Sequence, residues 1–260
     1  MNPNPLETNL HDPQYVAGLF DRMASTYGIL NYITSFGFSE RWRRQCVDSL
    51  LDAGTRISGG TAVDRKEGPQ GREDALVYDL MSGMGETWPS LCRLPVKRIV
   101  AVDLSPAMCA RAEKVATRYA PEIRILCEDV FSGVLKENSA DIVVCSFGLK
   151  TLDVTQRKEL ASLLYRVLKP GGRFAFVEIS DPRSWWLRRL YMFYLKKVIP
   201  VLGRLFGGDP TAYGMLGVYT EAFGDCEAFS GYLEASGLSV SYRRFFSGCA
   251  TGVSGSKPIS

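Results

Sequence analysis

Apolar and polar positions alternate along the middle of the chain in a pattern that predicts a parallel β-sheet. Amphipathic segments of helical period separate short apolar runs, and each run is long enough for one strand. Strands separated by helices of this length form a parallel sheet with helices on both faces. The pattern therefore predicts an α/β fold. The predicted strands are Leu76–Leu80, Arg98–Leu104, Ile123–Asp129, Asp141–Phe147 and Arg173–Ile179, with helices at Glu86–Arg93, Pro106–Tyr119 and Thr155–Leu168.

The two ends of the chain follow other patterns. The N-terminal part, from Tyr15 to Ala53, shows helical periodicity interrupted at Gly37. The C-terminal part predicts further helices and two strands that would close the sheet with an antiparallel edge. These segments are an aromatic stretch at Ser184–Phe206, broken at Pro200, helices at Thr211–Phe223 and Asp225–Ser236, and strands at Leu238–Phe246 and Cys249–Gly255.

A turn rich in glycine follows the first predicted strand. Asp79 ends the apolar run, Gly83 and Gly85 follow, and Asp103 ends the second strand. Glycines let the backbone approach a ligand closely, and an acid at the end of the second strand accepts hydrogen bonds from ribose hydroxyls. An NAD fingerprint needs a third glycine where this chain has Trp88, so the pattern favours S-adenosylmethionine (SAM), which is cationic and has no phosphate.

Acids at the ends of three successive predicted strands favour a SAM site; a tight turn without a ligand is the alternative. Carboxyl ends of parallel strands meet in one crevice, and the third strand ends in Glu128-Asp129. Asp79 is expected to hold the methionine portion of SAM, directly or through water. Asp103, with Leu104 beside it, is expected to bind the ribose, and Asp129 with Val130 the adenine edge.

Composition excludes several classes of protein. The 260 residues are 46% apolar and 23% charged, as in a soluble globular protein, and suffice for one well-packed α/β domain. A formal charge of +3 without basic blocks argues against a nucleic-acid partner. Seven cysteines without a Cys-x-x-Cys pair, including Cys127 and Cys145 in apolar runs, predict buried thiols in a reducing compartment, so we expect a cytoplasmic protein.

Histidine chemistry is almost excluded. The single histidine, His11, falls in a leader that we expect to be mobile, so the sequence predicts neither a histidine base nor a metal site. The proton released during methyl transfer must then go to a carboxylate, a tyrosine or water, and these alternatives stay open.

The chain resembles the UbiE-type quinone-biosynthesis methyltransferases, a branch of the class I SAM-dependent methyltransferases. The resemblance implies a Rossmann-like, mostly parallel seven-stranded sheet, and contacts of Met84 and Ser146 with SAM. The Leu-Lys-Pro-Gly-Gly turn is shared by many class I enzymes, whereas the N-terminal pattern joined to Ser-Phe-Gly-Leu is narrower. The residues that carry it are Phe20, Ala24, Tyr27, Asn31, Ser35-Phe-Gly37, Trp42, Ser146-Phe-Gly-Leu149, Tyr165-Arg-Val-Leu-Lys-Pro-Gly-Gly-Arg173, Glu178-Ile-Ser180, Pro200, Gly203, Tyr213 and Gly237.

With this resemblance we expect one structural domain in three parts. Residues 1–53 would form an N-terminal helical lid, 54–75 a flexible insertion loop, and 76–260 the SAM-binding methyltransferase domain, in which helices at 184–223 cover the substrate.

The chain departs from the family pattern in four places. The family's Gly-Gly-Thr-Gly-Asp is Ser82-Gly-Met-Gly-Glu86, and its Tyr-Asp is Tyr27-Gly28. Its Arg-Asn after Phe-Gly-Leu is Lys150-Thr151, and its C-terminal His-Trp falls on Val253-Ser254. The altered Ser82–Glu86 turn, Lys150-Thr151 and the lost C-terminal His-Trp favour, slightly, tailoring of an aromatic or polyketide-like metabolite over C-methylation of a prenylated quinol, whereas Met84 and Gly28 are the only support for the next hypothesis. A SAM-binding protein without transferase activity is the hypothesis from another class.

Two residues are predicted to act in catalysis. Lys150 follows the fourth strand at the mouth of the crevice, where an ammonium would favour a phenolate on the acceptor; a solvated lysine is the alternative. Tyr27 is the second. Asn31, Tyr191 and Tyr213 are predicted to contact the substrate, with ordinary aromatic packing as the alternative for some tyrosines.

The aromatic segment Ser184–Phe206 has two interpretations. Its charges interrupt it too often for a bilayer span. A lid helix over the substrate is the favoured interpretation, and a basic amphipathic helix on a membrane surface, useful for a lipophilic acceptor, is the alternative.

Overall fold

A seven-stranded sheet forms the centre of the protein. The computed structural model describes residues 10–52 and 75–259. Its strands are β1 Leu76–Leu80, β2 Arg98–Asp103, β3 Glu122–Cys127, β4 Ala140–Ser146, β5 Leu168–Ile179, β6 Ser239–Phe245 and β7 Ala250–Ser256. They lie in the order β3-β2-β1-β4-β5-β7-β6. The strands β1 to β5 pair in parallel, whereas β7 is antiparallel to both β5 and β6, which confirms the predicted architecture.

Helices flank this sheet and cover one end of it. They are α1 Pro13–Met23, α2 Tyr27–Thr34, α3 Phe38–Asp52, α4 Trp88–Leu91, α5 Pro106–Ala116, α6 Val154–Val167, α7 Arg188–Phe193, α8 Ile199–Leu205, α9 Pro210–Phe223 and α10 Glu227–Ala235. A π-helical stretch, Tyr194–Val198, joins α7 to α8. Helix α4 is shorter than predicted because turns around the glycines continue until Thr87.

Alternation along the central strands gives the sheet two buried faces. In β1, Val77 packs toward α3, α4 and α5, while Tyr78 and Leu80 pack toward α6 and α10. Full burial of such side chains contributes about 1.5–3 kcal/mol each. Asp79 shares the parity of Val77, so the pleat carries a carboxyl group into the α3–α4 side at the end of the strand.

A third apolar cluster holds the covering helices together. It joins α1 and α2 to α7, α8 and α9, with Leu30 and Tyr219 among its buried members. An ion pair between Arg22 Nε and Asp209 Oδ2, 2.8 Å apart, links α1 to the first turn of α9. The N-terminal helices and the aromatic segment therefore pack against each other.

Two sequence-based predictions are wrong. His11 does not belong to a free leader, because its Nδ1 lies 2.8 Å from the carbonyl oxygen of Thr151 and its ring packs near Tyr219. Cys127 is exposed, since β3 is the edge strand, whereas Cys145 is buried as predicted.

Two further expectations are not decided here. The predicted insertion loop, 54–75, lies outside the described residues except for Ala75. The division of the chain into lid, loop and methyltransferase domain stays a prediction.

Candidate cofactor and acceptor site

Two adjoining cavities open at the carboxyl ends of the central strands. The first contains about 590 Å³ and the second about 440 Å³ of space, in both cases including space that is open to solvent. They lie where ligands bind in open α/β sheets. Their shared walls are Val16 from α1, Met81 after β1, Asp103 and Leu104 after β2, and Thr151 after β4.

The glycine turn forms the floor of the first cavity. Gly83 and Gly85 adopt φ angles of +59° and +88°, in the region that favours glycine. A Cβ atom on Gly85 would lie 2.4 Å from the ring of Trp88, so no larger residue fits there. The backbone nitrogen of Gly83 donates to Asp103 Oδ2 at 2.7 Å, which fastens the turn to the end of β2.

Asp79 is a buried carboxyl group in need of a cation. Its Oδ2 accepts a hydrogen bond from Trp88 Nε1 at 3.0 Å, while Oδ1 is buried without a partner among the described residues. Burial raises the pKa of Asp79 to about 8; the bond from Trp88 opposes this, and the nearby Glu86 adds to it. A positively charged ligand would restore the charged form of this group.

Three further unpaired oxygens belong to residues that line the first cavity, whereas Asp79 itself lines neither cavity. These are Ser82 Oγ, Glu86 Oε1 and Ser146 Oγ, buried and without a partner in the described part of the chain. Each unpaired buried group costs about 1–3 kcal/mol, so their convergence indicates a polar ligand. The ammonium group of SAM can donate to such oxygens, and its sulfonium charge suits the acids, so the site fits SAM.

Asp103 lies between the two cavities. Its Oδ1 accepts from the backbone nitrogen of Ser105 at 2.9 Å and its Oδ2 from that of Gly83. Burial raises the pKa of Asp103 to about 6, although these two backbone bonds lower it. Each carboxylate oxygen can accept a second hydrogen bond, which leaves capacity for ribose hydroxyls, and the contact of Asp103 with ribose stays a prediction.

The second cavity suits the adenine end of the cofactor. Asp129 and Val130 both line it, and Asp129 Oδ1 accepts from the backbone nitrogen of Phe131 at 2.9 Å. His11 lines the same cavity. A histidine therefore lines the second cavity, whereas Glu86 and Tyr27 line the first.

The two predicted catalytic residues have different surroundings. Tyr27 lines the first cavity, and burial, together with the charge of Glu86, raises its pKa well above the usual range, so its hydroxyl stays protonated. Lys150 is buried, and its Nζ lies 2.9 Å from Glu178 Oε1 and 2.5 Å from the carbonyl oxygen of Phe147. The solvated alternative for Lys150 is wrong.

The predicted substrate residues lie outside the cavity walls described above. Tyr213 belongs to the third apolar cluster, and its hydroxyl lies 3.0 Å from Thr26 Oγ1. The hydroxyl of Tyr191 donates to the carbonyl oxygen of Cys249 at 3.1 Å, and Asn31 is half-buried on α2. Their role in binding the acceptor stays a prediction.

Met84 bridges two of the departures from the family pattern. It stands on the glycine turn, where its backbone nitrogen donates to Glu86 Oε2 at 3.1 Å. Its Cε lies 3.4 Å from the position that a Cβ of Gly28 would occupy. The thioether therefore fills space beside Gly28, and the two departures compensate each other in packing.

Comparison with known proteins identifies the family. The ubiE/COQ5 methyltransferase family matches residues 8–257. The chain belongs to this family. The demethylmenaquinone methyltransferase of Thermus thermophilus is 31% identical over 92% of this chain and 100% of its own length. The ubiquinone/menaquinone biosynthesis C-methyltransferase UbiE of Syntrophotalea carbinolica is 32% identical over 93% of each chain.

Solved structures share the fold. A SAM-dependent methyltransferase from Thermotoga maritima superposes with a TM-score of 0.56 at 15% identity, covering 93% of this chain and 99% of that one. As a member of the ubiE/COQ5 family, this protein is a SAM-dependent methyltransferase, and SAM is its methyl donor.

Three site residues escape the sequence analysis. Trp88 orients Asp79, Glu86 contributes an unpaired carboxylate oxygen, and Arg43 lines the first cavity from α3. Arg43 carries a signal that could have been used: it lies within the helical stripe of buried positions that includes Trp42, Cys46, Val47 and Leu50. Trp88 and Glu86 have no comparable local signal.

Proposed function

We propose that this enzyme transfers the methyl group of SAM to a ring carbon of a prenylated quinol. The observation that supports this is the chain-long similarity to relatives named for methylation in menaquinone and ubiquinone biosynthesis. The slight preference for metabolite tailoring has no support among them. Met84 and Gly28, the only support for a SAM-binding protein without transferase activity, fill each other's space and leave the cofactor turn intact.

The first cavity offers a surface for a flat ring. Phe20, Tyr27 and Phe147 contribute aromatic side chains to its wall, and Met81 and Met108 contribute thioethers. Aromatic and thioether groups pack well against planar apolar ligands. A quinol ring would fit with its apolar faces against these side chains and its hydroxyl groups toward the polar side of the cavity.

The reaction needs one proton acceptor. When bound, SAM supplies a methyl group on a positively charged sulfur. The ring carbon forms a bond to that methyl group as the carbon–sulfur bond breaks, and the electron pair of the broken bond stays on sulfur. The ring carbon then loses its proton, which restores aromaticity. Glu86 Oε1 is a carboxylate oxygen without a partner on this wall, whereas the hydroxyl of Tyr27 is already protonated and cannot take up the proton. We assign the proton to Glu86.

Reduced demethylmenaquinol and a panel of simple phenols, offered with methyl-labelled SAM, test this function. We expect the label on a ring carbon of the quinol, located by mass spectrometry.

Glu86→Gln should lower kcat by about 10²-fold or more, the usual contribution of a general base, while SAM still binds in calorimetry. The exposed Glu159 on α6 provides the control, because Glu159→Gln should leave kcat unchanged.

Two outcomes would contradict the proposal. If the phenols carried the label and the quinol did not, the enzyme would be assigned to the tailoring of an aromatic metabolite. Tight SAM binding with no label on any acceptor would favour the hypothesis of a SAM-binding protein without transferase activity.

We further propose that the enzyme meets its lipophilic acceptor at a membrane surface. An outward stripe, defined as Trp186, Leu190, Phe193, Val201 and Leu205, runs along the α7–α8 segment, and all five side chains are exposed. Exposed cations flank it at Arg189, Lys197 and Arg204. Such a surface suits an anionic bilayer. In the part of the chain that the structure describes, no helix is long and apolar enough to cross a membrane.

A further inference from the structure

Arg43 is a buried cation at the acceptor end of the site. It lies on α3 directly after Trp42, within the helix face that packs on the sheet, and only 3% of it is exposed. Its guanidinium carbon lies 4.9 Å from the ring centroid of Phe147. The first cavity is therefore lined by an arginine next to aromatic walls.

The visible partners of Arg43 do not balance its charge. Its Nη1 lies 3.2 Å from Glu40 Oε1, but the Glu40 side chain is 49% exposed, so solvent screens the pair. This is the only hydrogen bond that the guanidinium makes within residues 10–52 and 75–259. A buried guanidinium has five donors and is costly to leave underpaired. The charge of Arg43 also acts on the buried Asp79, whose pKa it lowers, but no hydrogen bond joins the two side chains within the described residues. The remaining donors of the guanidinium can therefore bind an anionic ligand in the cavity.

The role predicted for Lys150, to favour a phenolate on the acceptor, requires a cation that the acceptor can contact. The Lys150 ammonium already pairs with Glu178 and bonds to the carbonyl of Phe147. Among the described residues that line the two cavities, Arg43 is the only lysine or arginine. Both cations lie near Phe147: the guanidinium carbon of Arg43 is 4.9 Å and Lys150 Nζ is 6.0 Å from its ring centroid, and Lys150 Nζ also donates to its carbonyl oxygen.

We propose that Arg43 binds the ionised hydroxyl oxygen of the acceptor and so activates its ring carbon. This rests on the proposed function, since it assigns a residue to the acceptor of that reaction. A phenol hydroxyl has a pKa of roughly 10 and is neutral near pH 7. A guanidinium beside it favours the oxyanion, whose electron density reaches the carbon that takes the methyl group. The hydroxyl regains a proton when the ring carbon loses its own, so one proton leaves the site per turnover.

Substitution at Arg43, measured at saturating SAM, tests this role. Arg43→Gln should lower kcat/KM for the acceptor by about 10²-fold or more, the usual effect of removing one oxyanion donor. The rising limb of the pH–rate profile should move to higher pH. Arg43→Lys should recover part of the loss, because the charge remains but the forked geometry does not. Its neighbour Arg44 is largely exposed, and Arg44→Gln should change none of these quantities.

Acceptors of graded acidity separate electrostatic activation from packing. Halogenated quinols ionise without help, so the loss caused by Arg43→Gln should shrink as the acceptor becomes more acidic. An equal loss for every acceptor, with a normal SAM Kd, would overturn the proposal in favour of a packing role. The melting temperature of each variant, measured with SAM bound, shows whether it is folded.

The carboxylate of SAM is the competing anion. Calorimetry of SAM binding to Arg43→Gln decides between the two, with an expected Kd within about threefold of the unsubstituted enzyme. A rise of about tenfold or more, with unchanged acceptor kinetics at saturating SAM, would assign Arg43 to the cofactor and overturn the proposal. Failure of the unsubstituted enzyme to methylate any quinol would instead refute the proposed function.

Discussion

At the scale of single residues, Asp79 links cofactor binding to pH. Its carboxyl group is buried, its pKa is raised to about 8, and one of its oxygens has no partner in the described structure. The folded protein therefore holds a proton on Asp79 at a pH where the unfolded chain has lost it. Stability from this group is present at low pH and is lost as pH rises through the folded pKa. A cationic ligand reverses the preference by favouring the carboxylate.

We expect SAM binding to release protons and to tighten between about pH 6 and pH 8, because Asp79 must ionise to pair with the cofactor. Calorimetry in buffers of different ionisation enthalpy measures this proton release. Asp79→Asn should weaken SAM binding by about 10-fold or more, the range of a lost charge-assisted hydrogen bond, and remove most of the pH dependence. SAM affinity in the unsubstituted enzyme that is flat over this range would contradict the assignment. Asp103, whose pKa is raised to about 6, should contribute below that range.

Lys150 allows its predicted catalytic role to be separated from its structural one. Its pair with Glu178 is buried on both sides, with side chains 7% and 0% exposed. Lys150→Met should cost about 3–5 kcal/mol of unfolding free energy, because Glu178 would remain as an uncompensated buried charge. Denaturant unfolding measures this cost, and Glu178→Gln in the same background should recover part of it. A variant with normal stability but little activity would instead support the catalytic prediction.

At the scale of elements, α1 closes the cofactor groove through one side chain. Asp21 Oδ1 accepts from Ser105 Oγ at 2.5 Å and from the backbone nitrogen of Ala107 at 3.0 Å. Ser105 is also the N-cap of α5, because its Oγ accepts a hydrogen bond from the backbone nitrogen of Met108. The contact joins α1 to the start of α5, directly after Asp103, so α1 is held beside the two cavities that Asp103 lines.

We expect Asp21→Ala to speed the release of SAM severalfold, because about 1 kcal/mol of capping and contact energy would be lost from α1 and α5. Stopped-flow fluorescence of SAM dissociation measures the rate. Gln14, exposed on the same helix, gives the control variant Gln14→Ala. Equal dissociation rates for both variants would show that α1 does not restrain the cofactor.

At the scale of the whole molecule, the α7–α8 segment has two functional faces. Its inner side, including Met192, Leu195 and Ile199, belongs to the third apolar cluster, which also contains residues of α1, α2 and α9. Its outer side is the exposed stripe with flanking cations. The segment can therefore pack on its neighbouring helices and face a bilayer at the same time, and its role as a substrate lid stays a prediction.

Binding to vesicles tests the outward stripe. We expect the protein to co-sediment with vesicles of anionic phospholipid more than with neutral ones, and less at high salt, because the flanking cations act through screened charge. A triple variant, Trp186→Ser, Leu190→Ser and Phe193→Ser, should lose this binding while keeping activity on a short-chain quinol. Val154→Ser, on an exposed position of α6, is the control. Retention of vesicle binding by the triple variant would contradict the proposal.

The sequence by itself determined the sheet, the glycine turn and the three acids, because each depends on local periodicity. A strand of period two followed by a glycine turn places Asp79, Asp103 and Asp129 at one edge wherever parallel strands form. Only the tertiary structure decided which cation faces the cavity and where the histidine lies. His11 meets Thr151 across 140 positions, and Lys150 meets Glu178 across 28. Such contacts depend on how separate helices and strands pack together, and that packing leaves no periodic trace along the chain.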